Sequence, residues 1–91
     1  MMDKWILYVV RCSDGSLYTG ITRNLKRRIL EHNYGMKGAK YTRSRRPVQV
    51  VYEEQCSNHS DALKKEWLFK KFSKAKKERI IAESKKNKLF S

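Results

Sequence analysis

The chain has 91 residues, 22 of them Lys or Arg against nine Asp or Glu, for a formal charge of +13. That length holds one small domain with a modest core and leaves no room for a second, while the charge imbalance calls for a polyanionic partner and salt-sensitive binding. No apolar run approaches a membrane span, and two cysteines are too few for a disulfide framework and too widely spaced for a zinc site.

Met1-Met2-Asp3-Lys4 leads into the first strand without a signal-peptide core, so Cys12 and Cys56 read as buried, reduced thiols of a cytoplasmic protein. Trp5 to Cys12 is apolar on both alternating sets, which suits a strand covered on both faces inside a sheet. Ser13-Asp14-Gly15 is a tight-turn signal, and Ser16 to Thr22 is the hairpin partner. The turn length decides what the hairpin can do. A two-residue loop of Asp14-Gly15 would set Tyr8 opposite Ile21 and send Tyr18 to the other face. A three-residue loop with Gly15 in the left-handed bulge position would set Tyr8 opposite Gly20 and Tyr18 opposite Val10, with both phenols pointing the same way. Gly20 is otherwise a poor strand residue, and it suits a place where something approaches the backbone closely.

Asn24 supplies an N-cap for a helix to about Tyr34, stopped by Gly35 and Gly38, with Leu25 and Ile29 facing the core. Lys37 to Arg46, the stretch KGAKYTRSRR, has no hydrophobic period and reads as a basic loop ended by Pro47. Val48 to Glu53 is a third strand, at an edge or beginning at its proline. Ser57-Asn58 caps a helix from about His59 to Phe72, whose Ala62, Leu63, Trp67, Phe69 and Phe72 form its sheet-facing set. Ser73 caps a final helix to about Lys85, anchored by Ile80 and Ile81. Residues 1–85 then form an α/β domain of order β-β-α-β-α-α, a small three-stranded sheet flanked by helices, and 86–91 a basic tail expected to fray. The first two strands pair antiparallel; spacing leaves the direction of the third open.

In order, spacing and context, Leu7-Tyr8, Tyr18-Thr19-Gly20, Asn24-Leu25-Lys26-Arg27-Arg28 with His32, and Glu66 resemble the GIY-YIG nuclease family over roughly residues 5 to 72. The whole chain looks most like the small stand-alone bacterial members, and Lys65-Glu66-Trp67 is also similar to the structure-specific endonuclease branch. Two positions depart from the pattern: Ile6-Leu7-Tyr8 lacks the first motif's glycine, and Thr19 replaces the usual isoleucine of the second. The resemblance implies a nucleic-acid-binding, metal-dependent endonuclease that hydrolyses phosphodiester bonds, of DNA, with Gly15 and Gly20 structural. It implies catalytic roles for Tyr8, Tyr18, Arg28, His32 and Glu66, with one Mg²⁺ or Mn²⁺ at Glu66.

Phosphodiester hydrolysis needs an activated water, a cation against the phosphate charge and help for the leaving oxygen. Glu66 sits mid-helix among apolar neighbours and should look toward the sheet, where a single carboxylate would hold one ion that keeps most of its waters. Its alternative is an i,i+4 pair with Lys70. Tyr8 or its hydrogen-bonded network would deprotonate the water and Tyr18 would orient it. Arg28 and His32 lie one turn apart and could reach one phosphate, the histidine as proton carrier or donor. Lys37, Lys40, Tyr41, Arg43, Arg45 and Arg46, extended by Lys70 and Lys71, make a backbone-binding strip with one aromatic for stacking. Two rivals keep the basic surface: a binding module without turnover, and an adaptor for a protein partner.

Overall fold

The structure, a computed structural model, describes residues 4–35 and 37–89, with side chains through Lys86. Its elements are β1 (Trp5–Arg11), β2 (Leu17–Thr22), α1 (Leu25–Tyr34), α2 (Lys40–Arg43), β3 (Gln49–Cys56), α3 (His59–Lys71) and α4 (Lys74–Leu89).

The hairpin takes the three-residue turn. Cys12 N–H donates to the Ser16 carbonyl at 2.8 Å, Gly15 N–H to the Cys12 carbonyl at 2.9 Å, and Gly15 lies at φ +85°. That left-handed backbone is open to glycine without a Cβ penalty. Asp14 locks the turn by accepting from the Ser16 amide at 3.0 Å and the Ser16 hydroxyl at 2.6 Å, and the Ser16 hydroxyl is the main reason its carboxyl is held below the usual range. The resulting register sets Tyr8 opposite Gly20 and Val10 opposite Tyr18. Both phenols therefore leave the same face.

The sheet order is β2-β1-β3 with both pairings antiparallel, so the apolar β1 lies in the middle and β3 forms an edge. Register with β3 slips between Val9 and Val10, where Val9 pairs with Tyr52 and Val10 with Val50. The extra residue, Val51, joins Tyr52 on one face while Val50 serves the other. Two cores result. Leu7 and Val9 pack with Ala62 and Phe69 of α3 and Ile81 of α4, whereas Tyr8, Val10, Cys12 and Val48 pack with Leu25 and Ile29 of α1. Cys12 and Cys56 are buried free thiols, one in each layer.

Four expectations need correction. The basic stretch contains a short helix, α2, because Ala39 accepts from the Thr42 and Arg43 amides and Thr42 is buried beneath it. Strand β3 begins at Gln49 and runs to Cys56, three residues beyond Glu53, since its pairing with β1 continues to Trp5. Helix α3 does not bury Leu63 or Trp67, which are 45% and 58% exposed. Ala62 and Phe69 are the residues seated on the sheet, with Phe72 packed against them at the helix end. Helix α4 continues to Leu89, past the expected end near Lys85, and the side chains of the expected tail lie largely outside the described residues. The lead-in at Met1–Asp3 lies outside them too.

Candidate active site

The group that organises the α1 face of the sheet is a chain of buried hydrogen bonds. Tyr8 Oη lies 2.9 Å from His32 Nε2, and His32 Nδ1 lies 2.8 Å from Thr42 Oγ1. Thr42 Oγ1 in turn donates to the Ala39 carbonyl at 3.0 Å. A hydroxyl has one proton to give, so Thr42 accepts from His32, whose Nδ1 carries the hydrogen and whose Nε2 lone pair receives the Tyr8 hydroxyl. Arg28 Nε donates to the same phenol oxygen over a longer 3.4 Å. Tyr8, His32 and Thr42 are all essentially inaccessible to solvent.

Each member is placed by a local feature. Asn24 caps α1 through its side chain to the Arg27 amide, which sets Arg28 and His32 one turn apart on the inner face. Gly20 makes room for the phenol: a Cβ there would stand 2.5 Å from Tyr8 Oη and 2.7 Å from Cζ, so the ring lies directly across β2. The Glu31 carboxylate and the Lys37 carbonyl both accept from the same nitrogen of the Arg28 guanidinium, Nη1, at 2.9 Å each, fixing its plane. The Glu31 carboxyl is correspondingly held below its ordinary range.

Burial sets the protonation states. It raises the Tyr8 phenol above its usual value of 10, with Arg28 opposing and Tyr18 and Glu66 adding to the rise. It also lowers His32 to about 4, helped by the positive charge of Arg28 and, less, of Arg46. At neutral pH His32 is therefore an uncharged acceptor, and Tyr8 keeps its proton.

Of the residues expected here, Tyr8, Arg28 and His32 meet directly. Tyr18 joins through ring contacts, edge-on to His32 with centroids 5.4 Å apart and stacked on Tyr41 at 5.9 Å. Glu66 belongs to α3 on the opposite layer, and its charge reaches Tyr8 through space. It is only one-fifth exposed and meets Lys70 at 3.4 Å, so it both looks inward and makes the i,i+4 pair. His32 cannot touch a phosphate, being sealed under Tyr18 and Thr42, so the expected role as phosphate donor is corrected: its two ring nitrogens are taken by Tyr8 and Thr42.

The basic strip is less uniform than its sequence. Lys37, Lys40 and Arg43 are exposed. Arg45 is committed to Asp14 at 3.0 Å and lies over the Tyr41 ring at 4.0 Å, tying α2 to the hairpin turn. Arg46 is no free phosphate ligand, because it donates to the His32 and Gly35 carbonyls at the end of α1. Those carbonyls lack intrahelical partners, which a guanidinium supplies. Lys70 stays half-exposed beside Glu66.

Sequence reasoning missed Thr42 and Glu31. Glu31 carried a usable signal, three residues after Arg28 on one helix. Thr42 carried little, since a threonine within a charged run reads as loop until α2 buries it.

Among the described residues no three His, Cys, Asp or Glu side chains gather around a point. A single carboxylate with one weak, displaceable lysine partner fits a hard cation that retains most of its own water. Glu66 is thus the residue that could hold one.

A family model for the GIY-YIG catalytic domain matches residues 4–79. A UPF0213 protein of Desulfotalea psychrophila is 52% identical over 82 residues, covering 90% of this chain and 74% of that one. One from Staphylococcus saprophyticus is also 52% identical over 82 residues, covering 90% and 99%. Among solved structures, the UPF0213 protein of Bacillus halodurans superposes with TM-score 0.56 at 38% identity, over 87% of this chain and 83% of that one. A protein from E. faecalis gives TM-score 0.60 at 40% identity, over 87% and 84%. Among the described residues no helix is long and apolar enough to cross a membrane. With its order of strands and helices, its paired phenols and this match over most of its length, the chain belongs to the GIY-YIG nuclease family, as a relative of the small UPF0213 proteins.

Proposed function

We propose that this chain is an endonuclease that hydrolyses phosphodiester bonds of DNA with the help of one divalent cation, Mg²⁺ or Mn²⁺, held at Glu66. The observation that carries the reading is the buried chain Tyr8–His32–Thr42 with Arg28 attached to the phenol. Tyr8 Oη is closed to solvent in the free protein; once a bound strand draws Arg28 off the phenol and admits a water in its place, Tyr8 Oη takes a proton from that water as it passes its own to His32 Nε2, and Thr42 holds the imidazolium's other N–H. The two transfers are concerted. Separating them would require a free phenolate beside an imidazolium, and burial disfavours both, raising the Tyr8 phenol and lowering His32.

Substrate itself makes the relay easier. Arg28 is one of the charges that depress His32, so a phosphate paired with its guanidinium neutralises that influence and lets His32 accept a proton more readily. Glu31 and the Lys37 carbonyl occupy one nitrogen of Arg28, leaving the other for the phosphate oxygens. Tyr18 orients the water or phosphate from the same face. A cation at Glu66 would supply the charge that steadies the phosphate as it becomes pentacoordinate. Lys37, Lys40, Arg43 and Lys70 grip the backbone without reading sequence. We assign the protein to the cytoplasm, in keeping with its two buried free thiols.

The test is metal-dependent nicking of branched, flapped and single-stranded DNA, compared with Glu66→Ala and Arg28→Ala. Each substitution should reduce the rate by a hundredfold or more, in the range seen when one charge-stabilising group is removed. Activity that survives both removes this site from the chemistry. The hold of Lys70 on Glu66 favours a second reading, a binding module without turnover. It predicts salt-dependent affinity unchanged by Glu66→Ala and no product at any metal concentration.

A further inference from the structure

Trp67 is one residue beyond Glu66, on a helix face that the sheet does not cover. It is 58% exposed, and Leu63, one turn earlier on the same stripe, is 45% exposed. A large aromatic usually gives up more free energy than any other side chain when it stays wet, so its position calls for an occupant. The chemistry around it narrows the choice. Lys64, Lys70 and Lys71 are its exposed neighbours at helical spacing, and Lys71 Nζ stands 3.6 Å from the ring centroid. Lysine is depleted from protein–protein interfaces, where its charge would have to be desolvated. An aromatic ringed by lysines instead matches the way single strands are held, with the charges following phosphates and the ring accepting a base.

We propose that Trp67, backed by Leu63 and flanked by Lys70 and Lys71, is a stacking platform for an unpaired base of the strand whose phosphate lies at Glu66. The proposal rests on the nucleic-acid reading above and adds to it a substrate feature, an unstacked nucleotide beside the scissile bond. Lys70 sits between the two functions, four residues after Glu66 and three after Trp67, so one strand can pass from carboxylate to ring along it. A duplex keeps its bases on one another and offers this face only phosphates.

Binding is measured by fluorescence anisotropy with a metal chelator present, so turnover plays no part. The probes are a labelled single-stranded oligodeoxynucleotide, the same oligomer with abasic sugars throughout, and a blunt duplex. Trp67→Ala should weaken the single strand about five- to hundredfold, Trp67→Phe much less, and Trp67→Lys as much as alanine despite its added charge. The abasic strand and duplex should change by less than about twofold, the effect of losing contacts that involve phosphate alone. Equal losses on all three probes, or none on the single strand, would overturn the platform. So would a Trp67-dependent dimer in sedimentation with single-strand affinity intact, which gives the face to a second copy. Glu66→Gln should abolish nicking while leaving the Trp67 preference in place, so a failure of catalysis and a failure of stacking are separately visible.

Discussion

Replacing Gly20 with alanine tests the central contact of the site with one methyl group. In an ordinary strand the change should help slightly, because glycine loses more backbone freedom on folding, by about 0.5–1 kcal/mol. Here the added Cβ would meet Tyr8 at 2.5 Å from Oη, 2.7 Å from Cζ and 3.0 Å from Cε1. An exposed ring would swing away cheaply. This one is 1% exposed and is held by His32 at 2.9 Å and Arg28 at 3.4 Å, so it moves only by breaking those bonds or shifting β2 against β1. Overpacking of that kind costs about 1–3 kcal/mol, which exceeds the backbone gain and makes the net change destabilising. Urea unfolding measures it, with Tyr8→Leu as the second background: without a ring the penalty should vanish and alanine should become neutral or stabilising. Nicking should fall about a hundredfold, the effect of displacing a reacting group by an ångström. A Gly20→Ala protein as stable and active as its parent, or one equally destabilised in the Tyr8→Leu background, would refute the placement of Tyr8 over β2.

Three further outcomes follow from the same bonds. Lowering pH from 6.5 to 4 should destabilise the fold by about 3 kcal/mol through His32, whose value falls from 6.5 to about 4 on folding, so the unfolded chain binds the proton first. That contribution is complete above pH 6.5 and lost on acidification. Comparing urea midpoints of the parent and His32→Asn across that range isolates it from the carboxylates. Thr42→Val leaves the His32 Nδ1–H buried without an acceptor, at a cost of about 1–3 kcal/mol, and should shift the ring toward the Nε2–H tautomer in ¹⁵N NMR spectra. Thr42→Ser should keep the parent's tautomer. Arg46→Ala should lower stability by about 1.5–3 kcal/mol through the uncapped carbonyls of α1, with nucleic-acid affinity little changed beyond that. Lys40→Ala should do the reverse, leaving the melting temperature alone and reducing the salt slope of binding by about one.

Local chemistry alone made much of this protein legible. Asp14-Gly15, Asn24 and Asn58 sit where turn and cap geometry require them, and the double apolar alternation of β1 marked it as the central strand. Such features depend on a residue and its near neighbours, which a sequence displays. The resemblance named the family and Tyr8, Tyr18, Arg28, His32 and Glu66 together. What it could not display was which side of a charged or apolar segment would meet another layer. Arg43 and Arg46 stand three residues apart in one basic run, yet one is exposed and the other closes α1, because only the approach of α1's last turn distinguishes them. Trp67 and Phe69 are both apolar but lie about 200° apart on the helix, so packing decides which of the two faces meets the sheet: it buries the second and leaves the first in water. The same holds for Thr42, an ordinary residue until α2 folds over His32 and gives its hydroxyl a proton to hold.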